Sequence, residues 1–216
     1  MNPHSDVPRS ELVAHPLDGA ALPGEATVRP GAFAGVDLQR FSPARYAPEV
    51  LPAGFNVLYA GALSREQGCD LLAEAFLIAR DRDPRLRLVL AGRGPEEDAL
   101  RARLRAAATF LGWVEGDQLA RVYATADLLV LPSAGDRFGH VILRAQASGL
   151  PVLAVDAGDS PALIENGRSG CLVAADAQAL GSAIRGLARR AALRERLATG
   201  GLRAVRSSLA ETSRAA

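Results

Sequence analysis

The chain has 216 residues, 49% hydrophobic and 23% charged, enough for one large α/β domain with a core of its own. A formal net charge of +1 gives no global electrostatic reason to bind nucleic acid. No apolar run nears the ~20 residues of a membrane span, so no membrane association is evident. All 25 basic residues are arginine, which leaves no ammonium for phosphate binding or Schiff-base chemistry. Cys69 and Cys171 lack metal-ligand spacing and read as packed thiols, and the N-terminus lacks a charged-then-apolar secretory pattern. These features together predict a cytoplasmic protein.

Residues 1–52 carry Pro and Gly at short intervals and no sustained periodicity, the pattern of an arm or interdomain linker. From Phe55 the pattern changes. Val57 to Ala60 reads as a short buried strand ending at Gly61, followed by a helix with Leu71, Leu72, Ala75, Phe76 and Ala79 on one face. Leu86, Leu88 and Leu90 mark a second strand, closed by Gly92-Arg93-Gly94-Pro95. Pro95 and the acids Glu96, Glu97 and Asp98 suit the first turn of a helix burying Leu100 and Leu104. Thr109 to Val114 is a third strand, and Asp117 is the predicted cap of a helix carrying Leu119, Val122 and Tyr123.

Leu128 to Leu131 is a fourth buried strand, and it meets a loop holding Asp136. A helix follows with Val141, Ile142, Ala145 and Ala147 apolar; Gly149 and Pro151 end it before the strand Val152 to Val155. A short helix near Pro161 to Glu165, a strand from Gly170 to Val173 and a long helix capped by Asp176 complete the order. The arginines of the C-terminal segment (Arg185, Arg189, Arg190, Arg194 and Arg196) read as a solvated helix face. Strands alternating with helices predict an α/β fold: a doubly wound, Rossmann-like parallel sheet of about six strands with helices on both faces. The predicted divisions are the arm at 1–52, the Rossmann-like domain at 53–195 and a C-terminal helix or tail at 196–216. In such a sheet ligands bind beyond the carboxyl ends of the strands, where helix N-termini favour phosphate.

Several motifs fall in order along this framework. They are Gly35-Val36-Asp37 with Phe41-Ser42-Pro43, Tyr59-Ala60-Gly61, Leu63-Ser64-Arg65-Glu66, Leu90-Ala91-Gly92 with Gly94-Pro95, Phe110-Leu111-Gly112-Trp113, Asp136 with Phe138-Gly139, and Ala147 to Val152. From Gly35 to Arg190 the chain resembles the C-terminal, donor-binding half of a family 4 retaining glycosyltransferase of the two-domain GT-B fold. It looks most like the GDP-mannose-dependent α-mannosyltransferases. The resemblance implies a nucleotide diphosphate sugar as ligand (GDP-mannose or a UDP-hexose), with no metal and no other cofactor. It implies that Asp136 contacts the sugar and acts as the catalytic position. Gly61, Ala62, Gln67, Gly92, Gly94, Trp113, Val114, Phe138, Gly139, His140 and Arg144 then surround the donor.

Three of these positions depart from the family pattern. Active relatives place an Arg directly after the Gly61 position and a Lys six residues after it, both on the diphosphate; here they are Ala62 and Gln67. The acid that grips the ribose is replaced by Arg144, which donates hydrogen bonds and accepts none. A leaving diphosphate develops charge, and losing one donor aimed at such charge costs about 10²–10³ in rate. The acceptor-binding half expected before Gly35 is represented only by the arm. The sequence therefore predicts hexosyl or mannosyl transfer by descent, impaired or absent in the isolated chain. Two alternatives stand beside it: a non-catalytic nucleotide-sugar-binding or scaffold domain that needs a separate acceptor-domain chain, and a truncated, decayed gene product. A dehydrogenase or phosphoesterase is disfavoured, because no G-x-G-x-x-G follows the first strand and no His/Asp metal cluster occurs.

Overall fold

The computed structural model describes residues 36–133 and 139–215. Six strands form one sheet: β1 (Phe55–Ala60), β2 (Leu86–Ala91), β3 (Ala108–Gly112), β4 (Leu128–Leu131), β5 (Val152–Val155) and β6 (Cys171–Val173). Their order is β3-β2-β1-β4-β5-β6 and every pairing is parallel. The predicted doubly wound sheet is therefore the observed one. Central strands covered on both faces must be apolar throughout, and β1, β2, β4 and β5 are buried almost without interruption.

Alternation along β1 divides the core in two. Val57 and Tyr59 point to one face, where they meet α1 (Cys69–Asp81) and α6 (Ala177–Arg189) through Leu72, Phe76, Leu180 and Ile184. Leu58 and Ala60 point to the other, against Tyr123 of α3 (Gly116–Thr125) and Ile142 and Leu143 of α4 (Gly139–Ala147). The apolar stripe read for α1 is buried at Leu72, Ala75, Phe76 and Ala79, and the next helix, α2 (Glu97–Leu104), buries Leu100 and Leu104 as expected. A four-residue helix, α5 (Ser160–Leu163), leads toward β6. Asp176 caps α6 by accepting a hydrogen bond from the Ala179 amide at 2.8 Å.

Two stretches differ from the sequence reading. Residues 36–52, expected as a loose arm, carry two 3-10 turns (Pro43–Arg45 and Pro48–Val50) and bury Phe41, Ala47 and Leu51. Thr125 ties this segment down, its hydroxyl accepting from the Ala47 amide at 3.0 Å and donating to the Ala47 carbonyl at 3.3 Å. The Pro and Gly spacing describes only the local backbone; the anchoring is tertiary. The long C-terminal helix breaks at Arg190, whose φ of −114° and ψ of 78° leave the helical region. From there α7 (Ala191–Ala215) crosses the predicted boundary at 195 and returns onto α4, burying Leu197 and Val205. Arg194 is accordingly no part of a solvated face. Its guanidinium donates to the Leu187 and Ala188 carbonyls and lies 4.9 Å over the Phe55 ring, satisfying the orphan acceptors at the end of α6.

Candidate functional site

The strand order reverses between β1 and β4, so their connections leave on opposite faces and a crevice opens at their carboxyl ends. Backbone forms one wall of it. The Gly61 amide donates to Ala91 O (3.0 Å), the Leu63 amide to Arg93 O (2.9 Å) and the Glu96 amide to Leu63 O (3.0 Å), stitching the loops after β1 and β2 together. At Gly92, with φ of +155°, an added Cβ would lie 1.8 Å from Gly61 O; at Gly94 it would lie 2.2 Å from Leu63 O. No side chain fits between loops this close. The Tyr59 hydroxyl donates to Ala62 O at 2.7 Å, and the Cys69 thiol points at the same oxygen from 3.8 Å. Burial pushes both the Tyr59 phenol and the Cys69 thiol above their ordinary values, so both remain protonated donors at neutral pH.

Side chains from three separate segments form the opposite wall. Phe41 meets Tyr123 edge to face, with centroids 5.7 Å apart and planes at 86°. The Arg144 guanidinium sits 5.2 Å over the Phe41 ring. Arg40 pairs with Asp117 at 3.4 Å. Asp117 is not the expected cap: it lies in the first turn of α3, while Glu115 occupies the N-cap position without a side-chain capping bond. The Tyr123 hydroxyl is buried and has no hydrogen-bond partner among the described residues. Burial keeps it neutral by raising its phenol well above the usual value, an effect that the nearby Arg144 charge partly offsets.

Between the walls lies a cavity of about 560 Å³, a volume suited to a small organic ligand. Gly61, Ala62, Gly92, Trp113, Val114 and Arg144, all expected from the sequence, line it together. Trp113 is 72% exposed at its rim, where its indole Nε1 donates to Glu115 Oε2 at 3.1 Å. It leaves the sheet because β3 ends at Gly112 (φ +69°), two residues before the predicted strand end. Gln67, Gly94, Gly139 and His140 do not line the cavity. Gln67 lies in the turn before α1, and Gly139 and His140 open α4, His140 being exposed. Asp136 and Phe138 lie outside the described residues. Among the described residues no cluster of His, Cys, Asp or Glu could hold a metal ion.

Sequence reasoning missed Arg40, Phe41 and Glu115, and it took Tyr123 for core alone. Phe41 stood within a quoted motif, but nothing local marked it as a wall of the site.

The sequence profile of the family described as "Glycosyl transferases group 1" matches residues 54–190. The chain is 38% identical over 153 residues to a D-inositol 3-phosphate glycosyltransferase of Pseudarthrobacter chlorophenolicus, covering 64% of this chain and 36% of that protein. The chain thus spans about a third of that relative's length. Among solved structures it is similar to the C-terminal domain of a group 1 glycosyl transferase from Francisella tularensis, with a TM-score of 0.72 and 23% identity, covering 80% of this chain and 97% of that domain. It is also similar to the Anabaena protein HepE, solved in complex with UDP and glucose, with a TM-score of 0.69 and 23% identity, covering 84% of this chain and 55% of that one. At these identities the structural likeness concerns the fold.

Proposed function

Because the chain belongs to the group 1 glycosyl transferases, we propose that it is the donor-binding half of a retaining hexosyltransferase and that its cavity binds a nucleotide diphosphate sugar. One observation supports this reading: six of the positions expected at the donor, Gly61, Ala62, Gly92, Trp113, Val114 and Arg144, line one cavity at the switch point of the sheet. Trp113 at the rim offers a stacking surface for the base, and the glycine-lined wall lets phosphates approach the backbone. We favour a UDP-linked hexose, in keeping with HepE, over GDP-mannose. The relative named above carries no mannosyl name, so the mannosyl reading rests on motif resemblance alone.

The transfer step is weak in this chain. Ala62 brings a methyl group where a cation serves the leaving diphosphate in active relatives. The nearby Arg65 is held by Glu96 at 3.3 Å and Asp70 at 3.9 Å and does not line the cavity. Loss of such a cation costs about 10²–10³ in rate, and the acceptor groups are left to another half, on the same or a separate chain. Calorimetric titration with UDP-glucose and GDP-mannose, alongside a transfer and hydrolysis assay, tests both parts. The expected outcome is binding in roughly the micromolar range with tryptophan quenching and no turnover by this chain alone. No heat at millimolar ligand sinks the binding reading; robust hexose transfer by the purified chain sinks the impairment.

A further inference from the structure

The loop that lacks cations faces a wall that has them. Arg40 and Arg144 both line the cavity opposite the bare backbone of Gly61 and Gly92. Arg144 is half-buried against Phe41, and among the described residues no carboxylate pairs with it. A guanidinium withdrawn from water without a counter-ion is costly, and an anionic ligand supplies one. Arg40 has a counter-ion in Asp117 at 3.4 Å, but the two side chains are 50% and 64% exposed, and such a surface pair is weak enough to exchange for a ligand. Among the described residues the lining holds one carboxylate, Glu115, whose Oε2 accepts a hydrogen bond from the Trp113 indole.

We propose that Arg40 and Arg144 form a guanidinium clamp for the diphosphate of a bound nucleotide, entering from the side-chain wall in place of cations on the Gly61 loop. Their reach comes from different elements, the 36–52 segment and α4, and Arg144 is supported by the Phe41 ring beneath it. Paired planar forks can hold phosphate oxygens from two directions, which one flexible point charge does not do. The clamp rests on the nucleotide reading of the cavity given above.

The test compares UDP and GDP with uridine and guanosine on the full 216-residue chain, with R144Q and R40Q beside it. Each diphosphate should bind at least about tenfold more tightly than its nucleoside. R144Q should remove most of that ratio and R40Q about a threefold part of it, the ratio of diphosphate to nucleoside affinity within each variant being the quantity read. Added salt should weaken diphosphate binding and leave nucleoside binding alone. If R144Q fails to fold, R40Q and the salt dependence decide. Diphosphates that keep their advantage in both variants overturn the clamp and leave nucleotide binding intact. Failure of nucleosides and diphosphates alike overturns the clamp together with the nucleotide reading.

Discussion

The two walls of the cavity are built from different material. On the β1–β2 side the wall is backbone: loops joined by amide-carbonyl bonds and pressed together where Gly92 meets Gly61. On the other side it is side chains, with Phe41, Tyr123 and Arg144 brought together from three segments far apart in the chain. A backbone wall is specified locally, since each strand ends in a glycine that the next loop requires. A side-chain wall exists only once the fold has formed. At Gly92 and Gly94 the first admits no side chain at all, whereas the second can change its chemistry while keeping its shape, and the Arg144 replacement lies there.

The largest expected effect comes from breaking the backbone wall. In Gly92→Ala the new Cβ meets a carbonyl oxygen 1.8 Å away, and no flexible neighbour can yield. We expect a loss of about 4 kcal/mol or more in urea unfolding, with nucleotide binding abolished. A variant of near wild-type stability would show that the two loops separate easily, and the contrast between the walls would fail.

Phe41→Ala attacks the other wall. Phe41 is 6% exposed and carries both the edge contact to Tyr123 and the platform under Arg144. Truncating a buried Phe costs about 3 kcal/mol. The chain should still fold, but with diphosphate affinity reduced because Arg144 loses its support. Unfolding midpoints and a UDP titration check the pair. If Phe41→Ala binds UDP as well as wild type does, the side-chain wall is only packing.

This division also explains what could be read in advance. The six strands, α1 to α4 and the cap at Asp176 follow from periodicity and local chemistry, and the glycine-ended loops from their motifs. The cavity residues on the backbone side, Gly61 and Gly92, were legible for the same reason. Arg40 and Phe41 were not, because Pro and Gly around them signal irregular backbone whether or not it packs. The break at Arg190 was equally silent: the Ala/Leu/Arg pattern continues through it, and the change of direction is enforced by burial of Val205 on the far side of the sheet. Arg194 shows the same limit, since a cation that caps the preceding helix looks in sequence like any exposed arginine.

The smallest effect is expected at the other end of the sheet, and it separates holding the fold from holding a ligand. Asp83, only 4% exposed in the turn before β2, accepts from Arg85 Nη2 at 2.7 Å and Nε at 2.9 Å. These bonds favour the carboxylate and hold the Asp83 pKa below the usual range, against a smaller opposing effect of burial. A carboxylate whose folded pKa is depressed stabilises the protein above its unfolded value, ~4 for Asp, and that stability is lost as pH falls through the folded value. Asp83→Asn should therefore cost about 1 kcal/mol at pH 7, discounted for the exposed Arg85 partner, and the difference from wild type should vanish in acid below the folded pKa. Asp83 precedes β2, whose six residues span about 17 Å to its cavity end. UDP affinity at pH 7 should thus be unchanged, in contrast to Phe41→Ala. Parallel pH-dependent melts and a single titration decide it: a binding loss in Asp83→Asn matching that in Phe41→Ala would mean that the site responds to global stability, and that its two walls are not independent parts.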